Sequence, residues 1–342
     1  MKYIFTILTL LLCLHSCSQS PVTVNQVNLY SERHYEVDKI QYDRFQELTG
    51  IKVNVVKANA DELIQRLKNE AENSPADLFI SVDAGKLQKA SSEGLLQQIH
   101  SPIVNSNVSP DLMDINGFWI PITYRARILV FSKDRVNPNE LSTYSNLIDS
   151  KWENRILVRS STNAYNQALL SSIIANKGIE EASEWANKVV NNFARDPKGS
   201  DRDQVKAIAA NQGDVAIVNS YYIGLLMSSE NEEELKAGNS VGVFFPNQGE
   251  GETGAHINIS GIGVVKNAPN KENAIKLIEY LTGVEAQNNY VHTSHEYSVN
   301  SRVQGSEISK SWGEFKRDTL DLNFLGVYRK QAIEIFDKSG WK

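Results

Sequence analysis

The chain has 342 residues, enough for two domains of ordinary size, and its 41% apolar and 22% charged residues are those of a globular protein. With 35 Lys and Arg against 41 Asp and Glu, the formal net charge is -6. No Lys/Arg-rich run or aromatic-basic ribbon interrupts this balance, which excludes a phosphate-binding surface of the nucleic-acid type.

Lys2 is followed by an apolar run over 3–14, broken only by Thr6 and Thr9. It is too short to span a bilayer and fits the hydrophobic region of an export signal. It ends in Leu14-His15-Ser16-Cys17, which resembles a bacterial lipobox. Residues 1–16 are therefore predicted to be a lipoprotein signal peptide, with Cys17 lipidated and 17–25 a polar tether. That places the chain in the bacterial cell envelope, lipid-anchored, on a periplasmic or extracellular face. Cys13, the other cysteine, lies inside the signal, so the mature chain is expected to lack disulfides and thiolate metal sites.

From residue 24 onward short apolar runs alternate with amphipathic ones. Residues 27–30 read as a strand, 38–48 as a helix stopped by Gly50, 51–56 as a strand and 61–73 as a helix. A strand at 76–82 and a helix at 85–95 follow. After a loop-rich stretch the pattern resumes with strands at 121–131, 155–158, 214–218 and 241–245, and helices at 163–175 and 179–192. The tail carries helices at 271–281, 284–290 and 325–337. This rhythm predicts an α/β protein with a mainly parallel sheet covered on both faces. Two such units in one exported chain point to a two-lobed periplasmic-binding-protein fold, type II-like, with a ligand cleft between lobes and a hinge.

Ligands of open α/β sheets bind at strand-to-helix turns, and three of the predicted turns carry tyrosine. They are Tyr30-Ser31-Glu32-Arg33-His34-Tyr35, Ser160-Ser161-Thr162-Asn163-Ala164-Tyr165 and Asn219-Ser220-Tyr221-Tyr222. Neighbouring residues in a helix lie about 100° apart, so Tyr221 and Tyr222 can converge on one ion, and a helix N-terminus favours the phenolate. Phenols ionise near pH 10, so a cluster of phenolates at neutral pH needs a strongly positive centre. Fe3+ prefers anionic oxygen, whereas zinc sites use His and Cys and calcium sites use carboxylates and carbonyls. Taken singly, Tyr165 and the Tyr221-Tyr222 pair also fit packing roles, and His34 a surface histidine. The constellation carries the case.

The sequence resembles the ferric-binding proteins of iron ABC transporters, in the tyrosine-rich, Fut-type class. The resemblance rests on Val27-Asn28-Leu29-Tyr30-Ser31-Glu32-Arg33-His34-Tyr35, on Ala76-Asp77-Leu78-Phe79-Ile80-Ser81-Val82-Asp83-Ala84-Gly85, on Tyr124-Arg125-Ala126-Arg127, on Ser220-Tyr221-Tyr222 and on Gly254-Ala255-His256-Ile257-Asn258-Ile259-Ser260-Gly261. It implies Tyr35, Tyr165, Tyr221 and Tyr222 as iron ligands, His34 as a fifth ligand or close neighbour, and Arg125 as a buried arginine offsetting phenolate charge. Ile223-Gly224-Leu225 stands where some relatives carry arginine, so no second basic group is expected there. Asp83 reads as a helix N-cap. His256 reads as part of the interlobe connection, and His292 and His295 near Glu296 as a surface turn.

The resemblance further implies a monomeric, non-catalytic binding protein that delivers Fe3+ to an ABC permease. One lobe is expected to hold 26–119 and 246–292, the other 120–245 and 293–342, closing by hinge motion. Another small solute, an oxyanion or a polyamine, is the alternative on the same architecture. No Gly-x-Ser-x-Gly, His-Glu-x-x-His or carboxylate pair supports an enzyme.

Overall fold

A computed structural model describes residues 25–342; the predicted signal peptide, Cys17 and the tether through residue 24 lie outside them. The chain opens with β1 (Gln26–Ser31), α1 (Glu36–Thr49), β2 (Lys52–Lys57), α2 (Ala60–Glu70), β3 (Leu78–Ser81), α3 (Ala84–Ser92) and the short β4 (Leu96–Gln97). Local chemistry sets these boundaries. α1 stops where Gly50 turns left-handed at φ 69° and donates to the Gln46 carbonyl. α2 starts at Asn59, whose side chain accepts from the Glu62 amide, and α3 at Asp83, which accepts from the Lys86 amide.

After α4 (Pro102–Asn107) come β5 (Ile120–Ser132), β6 (Ile156–Leu157), α5 (Ala164–Lys177), α6 (Ile179–Val189), α7 (Asp201–Ala209), β7 (Val215–Asn219), α8 (Ser220–Met227), α9 (Glu232–Ser240) and β8 (Val241–Phe244). The rest comprises β9 (Ile257–Val265), α10 (Lys271–Leu281), α11 (Val284–Ser294), β10 (Tyr297–Ser298), α12 (Glu307–Lys310), α13 (Phe324–Val327) and α14 (Arg329–Ser339).

The strands run in the order β2-β1-β3-β9-β5-β7-β6. Only β1 with β2, β1 with β3, and β6 with β7 pair in parallel; β9 pairs antiparallel with β3 and β5, and β5 antiparallel with β7 and β8. The expected mainly parallel sheet is thus corrected to a mixed one. The cause is β9, which returns from the second half of the chain and inserts between β3 and β5. All nine of its residues are buried, so it shows no alternation to betray it.

β5 joins two sheets. Residues from Ile120 to Ala126 pair with β9, and those from Arg127 to Phe131 pair with β7. The exchange falls within the strand, and β10 in the tail pairs with Thr123 and Tyr124 on its first half. Beside the exchange, the Arg127 amide donates to the His256 carbonyl at 2.8 Å, tying β5 to the second connection that leads into β9. A separate core around Trp152, Leu169, Trp185, Phe336 and Trp341 fills the region beyond this crossing, with α14 packed on α5 and α6.

Candidate metal centre

Three helix N-termini from the two sheets converge. Tyr35 caps α1 immediately after β1. Tyr165 lies in the first turn of α5, its amide donating to the Asn163 side chain at 3.0 Å. Tyr221 and Tyr222 lie in the first turn of α8, directly after β7. Strand-to-helix turns thus bring all four phenols close together.

The Tyr221 hydroxyl is 3.1 Å from that of Tyr35 and 3.4 Å from that of Tyr165. Tyr222 lies alongside, its ring centroid 4.2 Å from that of Tyr221. His34 is exposed and stacks on Tyr35, with centroids 4.9 Å apart and planes at 26°. Glu32, His34, Tyr35, Lys57, Asn163 and Tyr165 line an open cleft of about 470 Å³ between the two sheets.

Electrostatics decide what the cluster can hold. Burial pushes all four phenols above their ordinary pKa, and each is raised further by a neighbouring phenol. On its own the cluster is therefore neutral at physiological pH, and ionising it requires a concentrated positive charge. Fixed cations stand ready around Tyr165: the guanidinium carbons of Arg125, Arg127 and Arg159 lie 5.4, 5.9 and 5.4 Å from its ring centre. Arg125 is buried beside the cluster and donates to the Val82 carbonyl just past β3, in the same sheet as its own half of β5. Arg33 backs Tyr35 at 5.2 Å.

Two further basic groups, Arg127 and Arg159, therefore stand beside the cluster even though Ile223-Gly224-Leu225 carries none. The sequence held a usable signal for Arg127: residues i and i+2 of a strand share a face, so it must project on the same side of β5 as Arg125. Nothing local marks Arg159, which arrives from beyond β6.

Asp83 caps α3 and also pairs with Arg329. His256 is buried on the connection before β9, held neutral because burial and the two arginines depress its pKa to about 3. The expected surface turn at His295 and Glu296 is corrected: both are buried. His295 is wedged against Gly224 of α8 and reaches Ser228 and Ser306 at 3.0 and 3.1 Å. Glu296 pairs with Arg33 and accepts from Thr123. Among the described residues no group of three His, Cys, Asp or Glu side chains is arranged to hold a metal.

The model of the bacterial extracellular solute-binding proteins matches residues 41–317. Iron uptake protein A1 of Synechocystis is 42% identical, over 99% of this chain and 96% of its own length. A Trichodesmium FutA (IdiA) structure in complex with iron and citrate superposes with a TM-score of 0.88 at 44% identity, covering 93% of this chain and all of that one. A ferric binding protein from Campylobacter jejuni gives 0.87 at 39% identity, over 92% of this chain and all of its own. The family match and these likenesses establish that the chain belongs to the bacterial extracellular solute-binding protein family.

Proposed function

We propose that this chain captures ferric iron through the phenolates of Tyr35, Tyr165, Tyr221 and Tyr222 and delivers it to the permease of an ABC transporter. The observation that carries the reading is the chain of phenolic oxygens at 3.1 and 3.4 Å, gathered at three helix N-termini from two sheets. Oxygens so close can share one cation. Burial holds them protonated until a highly charged hard cation displaces the protons, which selects Fe3+ over softer or less charged ions. His34, stacked on Tyr35 at the rim, serves as a fifth ligand or a close neighbour of the ion. Arg125 acts without ligating, since a guanidinium offers no free lone pair but stabilises phenolate next to it. The iron names carried by the relatives support iron as the cargo.

Two lobes are proposed, hinged where β5 passes between sheets and at the connection into β9. Residues 26–119 and 246–292 supply Tyr35, and 120–245 with 293–342 supply the other three tyrosines. Closure then assembles the site. Lipidation of Cys17 would hold the protein, acting as a monomer, on a periplasmic or extracellular face of the cell envelope.

Ferric titration of the parent and the four single Tyr→Phe variants tests the reading. Phenolate-to-iron charge transfer should colour the loaded parent orange to red. Tyr165→Phe, Tyr221→Phe and Tyr222→Phe should weaken both colour and resistance to a competing chelator. Tyr35→Phe should mainly impair closure. A colourless parent with excess Fe3+, or four variants that bind like the parent, overturns the proposal.

A further inference from the structure

Tyr165 also forms one wall of a second and much smaller cavity. Its other walls are Arg125, Arg127, Asn219, His256 and Asn258, every one of them buried. It has room for about one water-sized species. Donor accounting around it does not close. Arg125 gives Nη2 to the Val82 carbonyl, which leaves Nη1 without a partner. Arg127 gives Nη1 to Asp201 and Asn219 and Nη2 to Asn166, which leaves Nε. The Asn219 carbonyl oxygen is used by Arg127, which leaves Nδ2. Three buried donors without a partner, two of them on guanidinium groups, thus belong to side chains that line a single small space, and a buried donor left unmet is costly.

The walls supply little to meet them. The Asn258 oxygen already accepts from the Ala84 and Ile259 amides. Charge is unbalanced too: Asp201 is the carboxylate paired with Arg127 at 2.7 Å and with Arg159 at 3.6 Å, while Arg125 has a backbone carbonyl as its partner. Burial lowers the proton affinity of His256, and Arg125 and Arg127 lower it further. A water molecule would accept from two donors and leave the third unmet, and of its two hydrogens one could go to the acceptor nitrogen of neutral His256 while the other needs an acceptor of its own. An anion accepts from all three and offsets a buried positive charge. We propose that the cavity is a binding site for a monoatomic anion of chloride size, held by Arg125, Arg127 and Asn219. Sulfate and phosphate are too large for it. The site is separate from the ferric reading, because it is argued for and tested in iron-free protein.

Crystals of the iron-free mature protein grown in sodium bromide provide the test, with data collected at the bromine edge. An anomalous peak enclosed by Arg125, Arg127 and Asn219 is expected; its absence, with a water refined there instead, overturns the proposal. Thermal unfolding gives an independent reading. Chloride and bromide should raise the unfolding temperature saturably over gluconate at equal ionic strength, and sulfate should not replace them. Asn219→Leu, which removes a donor and fills the space, should abolish the halide-specific increment. The same shift in every salt, or an increment unchanged in the variant, overturns the site. If Asn219→Leu fails to fold, the bromide map of the parent decides alone.

Discussion

Removing the guanidinium of Arg33 should destabilise the protein by about 4 kcal/mol at neutral pH, in the range found when one partner of a buried ion pair is deleted. Arg33 is almost wholly buried, with Nε 2.8 Å from Asp38 and Nη2 3.0 Å from Glu296, and it also donates to Ser260 at 2.6 Å. Arg33→Met keeps the bulk but strands two buried carboxylates. Against the 5–15 kcal/mol of a typical domain that is a large share, so the denaturant midpoint should fall clearly. The pH dependence identifies the cause. In the parent, burial alone would raise Glu296, but Arg33 outweighs it and holds the carboxyl below its ordinary value. That stabilisation is present at neutral pH and is lost as pH falls through the folded pKa. Burial raises Asp38 even beside Arg33, and without the cation both acids should sit well above their unfolded values of about 3.9 and 4.3. The variant's penalty is then full at pH 7 and shrinks as pH falls and the two acids take up protons. Urea unfolding of parent and variant at about pH 4.5 and pH 7 provides the comparison. A stability difference that is equal at both pH values would refute the buried-charge reasoning.

Ferric binding should release protons, approaching one for each of the four raised phenols, so unbuffered titration should acidify the solution and affinity should drop as pH falls. Release near zero would exclude phenolate ligation. Gly224→Ala places a Cβ 2.4 Å from that of His295, so α8 must shift. A stability loss of about 1–3 kcal/mol with weakened iron binding is expected, measured by urea unfolding and chelator competition. Arg125→Ala should make iron retention fail at a higher pH than in the parent while the number of ligands, read by spectroscopy, stays the same. Cys17→Ser should abolish lipid labelling of the expressed protein; unchanged labelling would rule out the anchor.

Much of this molecule is legible one segment at a time because its information is local. Gly50 announces the end of α1 by supplying a left-handed cap, and Asn59 and Asp83 announce helix starts by offering side-chain acceptors. The four tyrosines are legible for the same reason, since each follows a short apolar strand and opens a helix. Other features depend on contacts that no periodicity encodes. β9 is buried along its whole length and carries Gly261 and Gly263, where an added Cβ would lie within 2.7 Å of neighbouring side chains; glycine suits that close packing but reads as a break in the sequence. β5 reads as a single uninterrupted strand, yet its partner changes from β9 to β7 between Ala126 and Arg127, a choice made by distant strands. Arg159 and Arg127 meet Tyr165, and His295 fits against Gly224, only once that register is set. The sequence by itself determined the residue types at the ends of strands and helices, and so the donor chemistry. Tertiary structure alone decided which of them face one another, because side-chain direction follows local backbone geometry while proximity follows long-range strand pairing.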